Sequence, residues 1–181
     1  MVHKLDNTHF DIILVLLKNK THLREIARIL NENHSTILRK VNLLISKNII
    51  GAESQGKNKV YSLKDNLATK SAIYLSEHYK LLKLFEKYPR LEIILEDLLK
   101  ETNEKLIILF GSYAKFSAKE NSDIDIYVET QSKNTKNQLE ELNSRLSIKI
   151  GPFDKDSLLI KEIIKNHIIL KGVEEFYEKI V

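Results

Sequence analysis

The sequence predicts an α/β (α+β) protein in two parts: a basic, mostly helical front half ending in a β-hairpin, and a back half on a small mixed sheet with flanking helices. Three observations predict it. Apolar residues recur at helical spacing to about residue 46 and then switch to a period of two. The basic excess is confined to residues 1–65, with 11 Lys/Arg against 6 Asp/Glu, while residues 66–181 hold 18 against 19. Two apolar runs, Leu106–Phe110 and Ile124–Val128, bracket a polar excursion in the second half.

Composition narrows the function classes. With 181 residues, 43% of them hydrophobic, the chain can form two small cores. It has no cysteine, which excludes a disulfide framework and a thiolate metal site. Its longest early apolar run, Ile12–Leu17, falls far short of the ~20 residues of a membrane span. No cleavable leader is visible. The expected setting is therefore cytoplasmic, without a membrane partner.

The elements follow in order. Phe10, Ile13, Leu14 and Leu17 mark a first helix. A second runs from Thr21 with Leu23, Ile26, Ala27 and Leu30 on one face, and breaks at Asn31-Glu32-Asn33. A third starts near Ser35, a good N-cap, and buries Ile37, Val41, Leu44 and Ile45. Ile49–Ala52 and Val60–Leu63 then read as two strands joined by the polar stretch Ser54–Asn58. The excess of positive charge over these residues points to a polyanion partner.

This order resembles the winged helix-turn-helix of prokaryotic transcription regulators over about residues 7–64. The resemblance implies double-stranded DNA as a partner, with Ser35, Thr36, Arg39 and Lys40 of the third helix at the major groove and Lys57 and Lys59 of the wing beside phosphates. The chemistry agrees, since Arg can bond guanine bidentately while Lys and helix N-termini hold phosphates. The domain expectation is a winged helix at 1–65, a helical connector at 66–91 and an α/β domain at 92–181. In the connector, Tyr74, His78, Leu81, Leu82 and Phe85 share a stripe suited to a core or a homodimer seam, and Tyr88-Pro89 ends or kinks the run. The six histidines are scattered, which argues against a histidine metal site.

The stretch GSYAKFSAKENSDID, residues 111–125, carries the chemistry. A glycine directly after an apolar strand lets the backbone turn sharply and approach a ligand, and Ser112 offers a hydroxyl and an N–H near the start of a helical turn. In the second strand, alternation sends Ile124, Ile126 and Val128 into the core and sets Asp123 and Asp125 together on the other face, ~7 Å apart at Cα. Such a pair is favourable only with a cation between the carboxylates, and hard oxygen ligands select Mg²⁺ or Mn²⁺.

Together these features resemble the minimal nucleotidyltransferase domain of the polymerase-beta type over about residues 92–181. The resemblance implies a nucleoside triphosphate as substrate, with Gly111, Ser112 and the nearby cation Lys115 at its phosphates. It implies Asp123 and Asp125 as catalytic metal ligands in the transfer of a nucleoside monophosphate. It also implies two further possibilities: a degenerate site that serves regulation, and an antitoxin role beside a helical toxin partner. Two departures stand out. Ala114-Lys115-Phe116 replaces the family's usual Ala-Arg-Gly. The strand Ser147–Ile150 places Lys149 where the family's third carboxylate is expected, with Glu129, Asp154 and Asp156 as alternatives.

Overall fold

The computed structural model describes residues 4–56 and 58–180, and the chain divides between Tyr79 and Lys80 into two compact units. The boundary falls within one long helix, in the stretch expected to act as a connector. The first unit contains α1 (Asn7–Lys18), β1 (Thr21–His22), α2 (Leu23–Leu30), α3 (His34–Ser46), β2 (Ile50–Gln55), β3 (Asn58–Leu63) and the start of α4 (Leu67–Lys87). Ile12, Ile13 and Leu16 of α1 meet Ile26 of α2 and Ile37, Val41 and Leu44 of α3 in one buried cluster. The spacing places the buried faces of α2 and α3 correctly, but in α1 only Ile13 of the expected stripe is buried: Phe10, Leu14 and Leu17 are half-exposed, because an unbroken apolar run from Ile12 to Leu17 does not single out one face.

Between α2 and α3, Asn31 adopts a left-handed conformation with φ 51° and its N–H closes on the last carbonyls of α2. Asparagine tolerates that conformation better than most residues. The cap of α3 is Asn33, so Ser35 lies inside the first turn rather than at the cap. Thr21 and His22 pair with Tyr61 and Val60 instead of opening α2, which gives a three-stranded sheet of order β1-β3-β2. A two-residue strand has no periodicity to reveal it. The hairpin register runs from Ile50↔Leu63 to Gln55↔Asn58, so most of the expected loop is strand. Gly56, at φ 60°, supplies the positive dihedral that a tight hairpin turn needs. Three helices followed by a hairpin that pairs back onto a strand between the first two is a winged helix-turn-helix.

The second unit contains the end of α4, then α5 (Pro89–Lys100), β4 (Ile107–Leu109), α6 (Gly111–Ala114), β5 (Ile124–Val128), α7 (Lys133–Glu141), β6 (Leu146–Ile150), α8 (Leu158–Lys165), β7 (Ile168–Lys171) and α9 (Val173–Ile180). Pro89 occupies the first turn of α5, where its missing N–H costs nothing. The sheet order is β6-β5-β4-β7, with β5 and β6 parallel and the other pairs antiparallel. The parallel pair requires a crossover, and α7 supplies it. Ser132 and Ser157 cap α7 and α8 by accepting the N–H of Thr135 and Ile160. That cap sets α7 several residues ahead of the expected helix around Gln138–Leu146, because its polar first turn carries no apolar signal.

Ile124, Ile126 and Val128 of β5 face a core completed by Ile107, Leu109 and Ile148 of the sheet and by Leu91, Leu95 and Leu98 of α5. The opposite face is covered at Tyr127, which is 1% exposed. Its hydroxyl donates to the Gly151 carbonyl at 2.8 Å, and its ring meets Phe153 edge-on. Among the described residues no helix is long and apolar enough to cross a membrane.

Candidate functional site

Strand β4 hands the chain to α6 at Gly111. The Phe110 N–H donates to the Asp125 carbonyl at 2.9 Å, which brings the turn against the strand that carries the carboxylates. Gly111 has φ 69°, and a Cβ there would overlap Asp125 Oδ2 and stand 3.2 Å from Asp125 Cβ. Backbone conformation and close approach thus both demand glycine. Ser112 follows in the same helical turn, and Lys115 ends it.

Asp123 is exposed just ahead of β5, and Asp125 is half-buried within it. Burial pushes the Asp125 carboxyl above the usual carboxylate range, and the Asp123 charge adds to the effect. A hydrogen bond from Ser147 and the charge of Lys149 pull it back, while Glu162 raises it. The structure therefore brings Gly111, Ser112, Asp123 and Asp125 together, and adds Ser147 and Glu162, which the sequence had not singled out.

The β5/β6 register decides who stands beside the carboxylates. Asp125 pairs with Ser147, and Tyr127 pairs with Lys149. Lys149 is on the expected face but one pair farther along, because alternation fixes the face of a strand and not its register. The other candidate carboxylates are engaged elsewhere. Glu129, beyond the far end of β5, accepts from Lys179 at 3.1 Å and from the Phe153 N–H. Asp154 accepts the Asp156 N–H at 3.0 Å, and Asp156 lies 4.0 Å from Lys161. Lys115 Nζ donates to Glu162 Oε1 of α8 at 2.9 Å.

Asp123 and Asp125 are the residues that could hold a divalent ion. The Asp123 charge that raises the Asp125 carboxyl would be offset by a cation between the two. Among the described residues no set of three His, Asp or Glu side chains is placed to hold a metal. Two carboxylates would leave the remaining ligands of such an ion to water and substrate phosphates.

In the first unit, Ser35 and Arg39 are exposed on α3, Thr36 is half-buried and Lys59 is exposed on β3. Lys57 lies outside the described residues. Lys40 differs from its neighbours: its side chain is only 17% exposed and its ammonium is bonded to Asp6 ahead of α1. The same aspartate lies 2.7 Å from Nδ1 of His9, a residue 1% exposed. Nδ1 also receives the Asp6 backbone N–H at 3.0 Å, and among the described residues the buried Nε2 has no partner. Arg24 and Arg28 of α2 and His34 of α3 line a depression of about 420 Å³ at the turn. Arg28 is forked onto Glu25 at 2.8 and 2.6 Å. The i, i+4 spacing of the two arginines is the sequence signal for that surface.

A family model described as Polymerase beta, Nucleotidyltransferase matches residues 80–175. The chain belongs to this family. A protein of Methanocaldococcus jannaschii named "Putative protein adenylyltransferase" is 39% identical to this chain over 101 residues, 56% of this chain and 85% of that protein. Among solved structures, the transcriptional repressor BigR of Xylella fastidiosa is 14% identical with a TM-score of 0.37, covering 39% of this chain and 69% of its own. The adhesin competence repressor AdcR of Streptococcus pyogenes is 19% identical with a TM-score of 0.41, covering 50% of this chain and 73% of its own. The winged-helix assignment of the first unit rests on its own element order and strand pairing.

Proposed function

We propose that this chain is a DNA-binding nucleotidyltransferase of the cytoplasm that transfers an adenylyl group from a nucleoside triphosphate to a hydroxyl of a protein. The observation that carries the reading is the close packing of Gly111 against Asp125, which joins the Gly-Ser turn and the aspartate strand into one site. In it, Gly111 lets the phosphates approach the backbone, Ser112 and Lys115 bond their oxygens, and Asp123 and Asp125 hold Mg²⁺ or Mn²⁺. The bound ion supplies charge neutralisation at the reacting phosphate. The acceptor oxygen forms a bond to the α-phosphorus, the α–β bridging P–O bond breaks, pyrophosphate leaves, and the hydroxyl proton passes to solvent. The acceptor class follows the name of the Methanocaldococcus relative. Ser35, Thr36, Arg39, Lys57 and Lys59 are the proposed DNA contacts of the first unit, with Lys40 available once Asp6 releases it.

A second reading is favoured by Ser147. A hydroxyl stands beside Asp125 in the register, Lys149 is the next residue on that face, and neither replaces a third carboxylate. On this reading the site binds nucleotide and regulates DNA binding with slow transfer or none.

Labelled nucleotide incubated with the chain and either metal tests the first reading directly, with label on protein and pyrophosphate release as readouts. Ser147→Asp and Lys149→Asp separate the two readings. If a missing carboxylate limits transfer, Ser147→Asp should raise it by up to ~10²-fold, the lower end of what activation of a nucleophile contributes, and should exceed Lys149→Asp. Brisk transfer by the unaltered chain would remove the regulatory reading. Loss of nucleotide binding on Asp123→Asn/Asp125→Asn is expected; unchanged affinity would leave the aspartates as a solvated strand end.

A further inference from the structure

Lys115 ends the turn that begins with Gly111 and Ser112, and it is the cation nearest to them in sequence. Its ammonium is bound to Glu162, 47 residues away on α8, at 2.9 Å. That contact is open to water, with side-chain exposures of 42% for the lysine and 48% for the glutamate. Glu162 is also close enough for its charge to act on Asp125. The neighbouring Lys161 lies 4.0 Å from Asp156.

An ammonium held by a carboxylate beside a site for phosphates has a simple competitor. A carboxylate and a phosphate present similar oxygens to Lys, and an exposed ion pair is weak enough to exchange. We propose that Glu162 is a phosphate mimic that occupies Lys115 in the nucleotide-free protein, so that an entering nucleoside triphosphate must displace the carboxylate from the ammonium. The inference rests on the nucleotide site proposed above and adds a residue that sets its affinity. Glu162 acts through Lys115 and is a positioning residue. Its charge opposes a polyanion twice, by occupying the cation and by repelling phosphate directly.

The test uses the full chain and ATP, titrated calorimetrically with and without Mg²⁺. Glu162→Gln keeps the size and helix propensity of the side chain and should bind ATP about two- to fivefold more tightly, the range an exposed pair allows. The gain should shrink in the Lys115→Met background, because there is no ammonium left to release, and Glu162→Asp should stay near the unaltered chain. Pyrophosphate alone should show the same order, since the contact is with phosphate oxygens. Weaker ATP binding by Glu162→Gln would mean that the carboxylate holds Lys115 in place for the nucleotide, and the mimic would be overturned. An equal gain in the presence and absence of Lys115 would overturn it too, leaving only a field effect. Binding by the unaltered chain with no change in Glu162→Gln removes the inference alone, whereas no binding by either protein removes the nucleotide site with it.

Discussion

Alanine at Gly111 tests whether the turn and the aspartate strand form one unit. The backbone there has φ 69°, and a residue with a Cβ pays about 1–2 kcal/mol in that region. The new Cβ would also stand 3.2 Å from Asp125 Cβ and overlap its carboxylate, which must rotate away. An off-rotamer aspartate costs about 0.5–1.5 kcal/mol. Reduced freedom of the unfolded chain returns about 0.4–1 kcal/mol. The net cost is roughly 0.5–3 kcal/mol, and at about 4–8 °C per kcal/mol for a domain near 100 residues the melting point should fall by at least ~2 °C. Urea titration of Gly111→Ala, alone and with Asp125→Ala, separates the two terms. The part due to the Asp125 carboxylate should vanish in the double variant, giving a coupling of about 1 kcal/mol, while the backbone part and the 3.2 Å Cβ–Cβ approach persist. Equal costs in both backgrounds would refute the overlap with the Asp125 carboxylate as a reason for glycine.

Three further outcomes are expected. Burial pushes the His9 imidazole below its ordinary range, more than Asp6 pulls it up. A group with a lowered folded pKa contributes stability that is complete above its unfolded value, near ~6.5, and is lost as pH falls below it. The melting point of the first unit should therefore drop between pH 7 and 5, and His9→Asn should flatten the drop. An identical profile in that variant would assign the loss to other groups. Tyr127→Phe removes the hydroxyl that donates to Gly151 at 2.8 Å and should cost about 1 kcal/mol in urea titration; no cost would show that water serves the carbonyl equally well. In DNA titrations at several salt concentrations, Lys59→Ala should weaken all sequences alike and reduce the salt slope by about one, whereas Arg39→Ala should relax sequence preference. Salt-insensitive binding would remove phosphate contacts from the DNA reading.

What the sequence made legible was periodicity. Ile37, Val41 and Leu44 recur at helical spacing and are all shielded, and Ile124, Ile126 and Val128 alternate and are all shielded. The Gly-Ser turn and the aspartate strand were legible because their residue types are constrained locally, by a positive φ and by one face of a strand. Long-range partners were not. Nothing in Asp6-Asn7-Thr8-His9 announces that Lys40, 34 residues on, will bond Asp6 and lie mostly covered. The two-residue strand Thr21–His22 and the polar first turn of α7 lack enough repeats to show a period.

The same distinction governs the third acidic position. Alternation along β5 puts Asp125, Tyr127 and Glu129 on one face, which made Glu129 a candidate and made Lys149 the residue to question. Tyr127 divides that face: its ring is sealed against Phe153, its hydroxyl is bonded to Gly151, and Glu129 on its far side is committed to Lys179. A carboxylate beyond Tyr127 cannot approach Asp125 without opening that aromatic packing. The parallel register leaves Ser147 as the strand neighbour at the aspartates, and α8 contributes Glu162 from outside the sheet. Among the described residues, the register and the charge acting on Asp125 mark position 147 and α8 as places from which an acidic group could join Asp123 and Asp125. Substitution at position 147 is thus a sharper probe of the site than substitution at 129 or 149.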